Sequence, residues 1–168
     1  FIEIYEQFKS DSYNIPSGVT FETNGTTPLI EDFKKFVANK GIYRSPIMFS
    51  VSPKLWTVAG EKNKKAIRPD VVAEYQRVAT IANKEWKTPT GQLKFVMGSA
   101  PEQWEELDGV IKQFRDAGVR WPVYIMPVGA TLEEQEATAG DVAKMAFERG
   151  YNVSGRLHCY LFGNAIGT

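Results

Sequence analysis

The 168-residue chain contains a single cysteine, Cys159, and a single histidine, His158. One cysteine excludes an internal disulfide and favours a reducing compartment such as the cytoplasm. Basic and acidic residues balance at 20 each, so no net field attracts nucleic acid or an anionic membrane. No apolar run approaches the about 20 residues that a membrane-spanning helix needs. These absences favour a cytoplasmic protein that binds neither nucleic acid nor membranes.

The first residues also lack features of a natural start. Residues 1–5 include no initiator methionine and no basic stretch of the kind that opens a signal peptide. Residues 2–9 already have the apolar spacing of a helix, so we expect the sequence to begin inside an element of a longer parent. With 43% hydrophobic residues, the chain can form one core of ordinary size, and we expect residues 1–168 to be a single domain.

The apolar periodicity predicts strands that alternate with helices. Strands are expected at residues 19–22, 47–51, 92–97, 122–126 and within 153–162. Helices between them are expected at residues 28–39, 69–86, 99–118 and 131–150. No two strands are joined by a two-residue hairpin turn, so the sheet should be mainly parallel and in chain order. The predicted fold class is α/β, an incomplete β/α barrel of about five strands with helices on its outer face.

Two of the helices begin with capping-box spacing. A hydroxyl residue is followed three positions later by glutamate at Ser99 to Glu102 and again at Thr131 to Glu134. In this arrangement each side chain satisfies a free backbone N–H of the first turn. We therefore expect both helices to start with reciprocal caps.

Polar segments follow the first two predicted strands, where the loops of a parallel sheet meet at one rim. Glu22-Thr23-Asn24-Gly25-Thr26 offers a carboxylate, an amide and hydroxyls that suit the vicinal hydroxyls of a ribose. An equally open interpretation is a strand-to-helix turn in which Thr26 or the next threonine caps the following helix.

Ser52-Pro53-Lys54 follows the second strand. Proline ends the strand and fixes the approach of the lysine, which can pair with a carboxylate or phosphate while Ser52 holds a second oxygen. A solvated lysine after a strand is the alternative.

Two single residues in apolar strands also stand out. Lys94 interrupts a strand that should be continuously apolar, so its charge must be paired or face a wet cavity, unless it points outward near the strand start. His158 lies in the last predicted strand, where it is either a hydrogen-bonded core residue or a ligand contact. Strand alternation would turn Cys159 away from His158, so we expect it to be a small buried residue.

In this order, the segments resemble the C-terminal half of 7-carboxy-7-deazaguanine synthase, a radical S-adenosylmethionine family of 7-deazapurine biosynthesis. The resemblance runs from about residue 19 to residue 162 and includes a proline, Pro127, after the fourth strand. The family's last strand carries a Gln-x-His-Lys motif. Here the histidine is kept as His158, while Arg156 replaces the glutamine and Cys159 replaces the lysine. The tail, residues 160–168, resembles divergent members from phages and marine genomes.

The resemblance implies roles for eight residues. Those implied to bind S-adenosylmethionine are Glu22, Thr23, Asn24, Ser52, Lys54 and Lys94. Arg156 and His158 are implied to face the pterin substrate. The parent would use S-adenosylmethionine, a [4Fe–4S] cluster held by three cysteines, and Mg²⁺ to convert a carboxy-tetrahydropterin to 7-carboxy-7-deazaguanine for queuosine biosynthesis.

The cluster motif is absent from these 168 residues. A single thiolate cannot hold such a cluster. We therefore expect the chain to be an inactive fragment by itself, with no catalytic or metal-binding residues and no tightly bound cofactor.

Two other interpretations of the function stay open. The chain could be a stand-alone α/β nucleoside-binding module, or a fragment of another β/α-barrel enzyme such as a sugar-phosphate isomerase or aldolase. An enzyme that acts on sugar phosphates should have a glycine-rich loop after one of its last strands, whereas residues 126–130 contain one glycine.

An open half-barrel would also expose the edge of its first strand, which favours a homodimer through that edge.

Overall fold

In a computed structural model, the protein is described at residues 2–10, 16–38, 45–63, 65–84 and 89–162, without the side chains at 8–10, 158, 160 and 162. One five-stranded sheet is formed by β1 (Val19–Thr23), β2 (Ile47–Val51), β3 (Gly91–Met97), β4 (Val123–Pro127) and β5 (Asn152–Val153). All neighbours are parallel and follow chain order. The predicted α/β class is confirmed, and the sheet is open, as in a partial barrel.

Seven helices accompany the sheet in the described part of the chain. They are α1 (Ile2–Ser10), α2 (Glu31–Ala38), α3 (Trp56–Ala59), α4 (Pro69–Ala82), α5 (Pro101–Asp116), α6 (Leu132–Glu148) and α7 (Leu157–Phe162). Of these, α4 packs on β2, and α6 packs on β4 and β5. No helix in the described ranges is both long enough and apolar enough to cross a membrane.

The two faces of the sheet differ in character because side chains alternate along each strand. In β3, buried Leu93, Phe95 and Met97 alternate with half-buried residues. The buried set continues through the register into β2 and β4 and joins the apolar stripes of the helices in one core. We call the opposite side the polar face; it carries Thr20, Glu22, Met48, Ser50, Gln92, Lys94, Val96, Tyr124, Met126 and Asn152.

The prediction that His158 and Cys159 lie on the fifth strand is wrong. β5 has two residues, and residues 157–162 form α7. Pairing with β4 ends where Ser154 donates its N–H to the carbonyl of Ile125. A short apolar run does not distinguish strand from helix by its periodicity, and here the run leaves the sheet. His158 and Cys159 therefore lie on a helix and not on a strand.

One predicted capping box is confirmed and the other is wrong. The Thr131 hydroxyl accepts a hydrogen bond from the N–H of Glu134 at 3.2 Å, and the Glu134 carboxylate accepts one from the N–H of Thr131. At α5 the N-cap is Ala100, which has no side-chain oxygen, because proline is well suited to the first helical position and starts the helix at Pro101. Ser99 is thereby left outside the cap.

Several predicted bounds shift by a few residues, and α3 was not predicted. The largest shift is at α4, which ends at Ala82; the side chain of Asn83, the next residue, binds the backbone of β2. β1 is an edge strand of the described sheet, and the homodimer through it stays a prediction. The tail beyond residue 162 lies outside the described residues.

Candidate functional site

The polar face brings together two of the predicted residues, Glu22 on β1 and Lys94 on β3. The Lys94 Nζ lies 3.9 Å from the Glu22 Oε1, and the two side chains are 22% and 75% exposed respectively. Lys94 is thus paired, and Glu22 still presents most of its carboxylate to solvent. This pair spans the intervening strand β2.

The residue of β2 between them is Ser50, which sequence reasoning missed. It is in register with Glu22 on one side and with Gln92 on the other. Ser50 is 3% exposed, and its Oγ accepts a hydrogen bond from the Gln92 Nε2 at 3.0 Å. A small side chain here leaves room for the longer Lys94 to reach across β2. The alternation of the strand was visible in the sequence, but the register that joins the residues was not.

The polar face continues onto β4 and β5. Tyr124 is in register with Lys94 and with Asn152, so a phenol and an amide extend the row of polar groups. Arg156 follows β5, and its Nε contacts the Met126 Sδ at 3.3 Å. The structure therefore places the predicted Arg156 next to a polar-face residue at the end of β4. Tyr124 was not singled out in the sequence.

The turn after β1 uses several of its polar groups internally. The Thr23 Oγ1 accepts the N–H of Gly25 at 3.1 Å, and the Asn24 Oδ1 accepts from the Thr26 N–H and hydroxyl at 3.2 and 2.8 Å. The next helix begins at Glu31, so no threonine of this turn caps it and that interpretation is wrong. Asn24 remains exposed, whereas the hydroxyl of Thr23 serves the turn.

The segment after β2 lies beside the turn after β1. Ser52 donates its N–H to the carbonyl of Thr23 at 2.7 Å, which joins the ends of the two strands. Ser52 is half-buried, Pro53 is buried and Lys54 is exposed. The structure therefore brings the first two predicted motifs to one rim, with the lysine at the surface.

The last predicted motif lies on α7. The side chain of His158 is outside the described residues, so its proposed contact stays a prediction. Cys159 is buried, as expected, and its Sγ donates to the carbonyl of Ala130 at 3.6 Å. Successive helical residues are about 100° apart, so the argument from strand alternation for its direction does not hold. Within the described ranges, no group of three or more His, Cys, Asp or Glu could hold a metal ion.

Tyr75 of α4 supports the turn after β1 from the core. Its hydroxyl donates to the carbonyl of Thr27, and burial raises the pKa of Tyr75 although a hydrogen bond with Thr23 opposes the shift. The phenol is thus held protonated inside the folded protein at pH values where an exposed tyrosine ionises.

We expect this raised pKa to make stability fall at alkaline pH. Below about pH 10 the phenol is protonated in both the folded and the unfolded state. Above about pH 10 it loses its proton first in the unfolded chain, and this ionisation lowers the free energy of unfolding. Urea unfolding should show a difference in free energy between the wild type and Tyr75→Phe that is constant below about pH 10 and narrows above it. A difference that stays flat up to about pH 11 would contradict the assignment.

An open parallel sheet with polar strand ends at one rim defines an α/β protein of the partial β/α-barrel class. Over an alignment that covers 89% of this chain, it is 34% identical to 7-carboxy-7-deazaguanine synthase of Halobacterium salinarum. Over 77 residues, 46% of this chain, it is 39% identical to the enzyme of the same name from Rhodopirellula baltica. Over most of its length, the chain is thus similar to a portion of a 7-carboxy-7-deazaguanine synthase.

The chain spans 56% of the length of the first of these curated relatives and 29% of the second. No protein-family model and no solved structure matches it.

Proposed function

We propose that this chain is the part of a 7-carboxy-7-deazaguanine synthase that binds S-adenosylmethionine and the pterin substrate along the polar face and its rim. The observation that carries the proposal is the Glu22 and Lys94 pair, which puts opposite charges 3.9 Å apart on a partly exposed sheet face. A relative that is named for this activity and is similar over 89% of the chain supports the same assignment.

Six of the eight predicted residues have a role that fits their chemistry. The exposed carboxylate of Glu22 and the amide of Asn24 suit the hydroxyls of the ribose. Lys54, exposed at the rim, suits the carboxylate of the methionine part, with Ser52 on a second oxygen. Arg156 and His158 would face the pterin. In this proposal the chain binds and orients its ligands.

The residues of this chain do not fit an iron–sulfur cluster. A radical S-adenosylmethionine cluster needs three thiolates, whereas the sequence has one cysteine, and that residue is buried against the carbonyl of Ala130. We therefore propose that the chain alone has no synthase activity, and that the cluster ligands belong to another part of the protein or to a partner.

Binding of S-adenosylmethionine to the chain tests the proposal. Lys54→Ala should weaken binding by about 5-fold to 150-fold, which corresponds to the about 1–3 kcal/mol of one charge-assisted hydrogen bond. Isothermal titration calorimetry measures the change.

Two controls make the result specific. Lys112→Ala removes an exposed lysine of α5 that pairs with Asp116, and it should leave binding unchanged. 5′-Methylthioadenosine has the nucleoside without the carboxylate, so Lys54→Ala should not alter its affinity. Absence of binding by the wild type, or equal effects of the two lysine variants, would refute the proposal.

A further inference from the structure

The short helix α3 directly follows the segment that carries Lys54. It has four residues, and its N-cap, Leu55, has no side-chain group that accepts a hydrogen bond. A single helical turn is not stable by itself in water because nucleation costs more than one hydrogen bond returns. Its free N–H groups therefore need acceptors from water or from another part of the molecule.

Glu106 of α5 supplies the missing cap. The N–H of Trp56 donates to the Glu106 Oε1 at 2.9 Å, and the N–H of Thr57 donates to the Oε2 at 2.9 Å. The Thr57 hydroxyl donates to the same Oε2 at 2.5 Å. One carboxylate, 50 residues away from Trp56 in the chain, thus accepts three hydrogen bonds at the start of α3.

Gln103 lies on the same face of α5 as Glu106 and connects the first turn of α3 to the end of β3. Its Oε1 accepts the N–H of Gly98 at 2.8 Å, and its Nε2 donates to the carbonyl of Thr57 at 3.4 Å. Residues three apart lie on one side of a helix, so Gln103 and Glu106 act on the rim together.

We propose that Glu106 is a positioning residue that fixes the Ser52 to Lys54 segment at the rim, with Gln103 as a second tie. The segment is held at its beginning by the bond from Ser52 to Thr23 and two residues beyond its end by the bond from Trp56 to Glu106. Lys54 lies between the two anchors, so little of its backbone freedom is left to lose on binding. The consequence for affinity rests on the proposed binding of S-adenosylmethionine.

The first test needs no ligand. Glu106→Ala should speed amide hydrogen exchange at residues 55–59 by about 10-fold or more, because the first turn of α3 then has no acceptor. Glu105→Ala, an exposed neighbour on α5, is the matched control and should leave this exchange unchanged. Glu106→Gln keeps one acceptor oxygen and should lie between them. Unchanged exchange in Glu106→Ala overturns the positioning role.

The second test connects the anchor to Lys54. In the wild-type background Glu106→Ala should weaken S-adenosylmethionine binding by about 5-fold to 30-fold, with partial rescue by Glu106→Gln. In a Lys54→Ala background the same substitution should have little further effect, as expected for coupled residues. A purely structural loss would add equally in both backgrounds, and that result overturns the proposal.

The two proposals fail differently. If the wild-type chain does not bind S-adenosylmethionine, the proposed function is refuted. The exchange at residues 55–59 then decides by itself whether Glu106 holds the segment.

Discussion

Gly25→Ala is expected to lower the free energy of unfolding by about 3 kcal/mol. Gly25 is buried in the turn after β1 with φ of 77°, a left-handed conformation that costs a residue with a Cβ about 1–2 kcal/mol. A Cβ at this position would also lie 2.7 Å from the Val51 Cγ1 and 3.0 Å from the Val72 Cγ2. Overpacking of this kind adds about 1–3 kcal/mol. Urea unfolding monitored by circular dichroism measures the sum.

Gly109→Ala is the matched control. Gly109 lies within α5, and a Cβ there would meet nothing within 4 Å. Alanine is favoured over glycine inside a helix, so this variant should gain about 0.5–1 kcal/mol. Equal stability of Gly25→Ala and the wild type would show that the turn can relax and that the glycine is not required there.

Asn83→Ala should be about equally damaging, with a loss of about 3 kcal/mol. Asn83 is 4% exposed, and its side-chain amide accepts the N–H of Ile47 at 2.9 Å and donates to the Ile47 carbonyl at 2.8 Å. Both groups of Ile47 point to the side where β3 has not yet begun, since β2 pairs with β3 only from Phe49 onward. Truncation leaves two buried backbone groups unpaired, at about 1–3 kcal/mol each.

Asn63→Ala is the matched control, because it removes an asparagine side chain that does not bind a strand. Asn63 is exposed and accepts a hydrogen bond from the N–H of Lys65 at 2.9 Å within its own loop. Its replacement should change the unfolding free energy by less than about 0.5 kcal/mol. Comparable losses in the two variants would contradict the role of Asn83 as a substitute for a strand neighbour.

Features encoded over a few neighbouring residues could be predicted well. The alternation in β3 and the spacing of apolar residues in α4 indicated the strand and the helix, and their order along the chain indicated a parallel sheet. The cap from Thr131 to Glu134 was visible because all its groups lie within four consecutive residues. At α5, the same reasoning failed because proline at the first helical position competed with the serine.

The end of the sheet shows where local reasoning stops. Apart from His158, residues 157–162 are apolar or aromatic, and such a run suits either a strand or a helix. Whether these residues extend β5 depends on how far the chain stays paired with β4. The pairing ends at Ser154, which donates its N–H to the carbonyl of Ile125, and the chain then leaves the sheet. The candidate role of His158 was inferred from a motif, and the element that carries it was misjudged.

The sequence alone determined the fold class, the family resemblance and the identity of polar residues such as Glu22, Lys54 and Lys94, because these depend on residue type and short-range spacing. Only the tertiary structure decided which of them meet. Ser50 between Glu22 and Lys94 follows from strand register, and Glu106 at the start of α3 joins residues 50 apart in the chain. Such contacts depend on how helices and strands pack across the core, which no local pattern encodes.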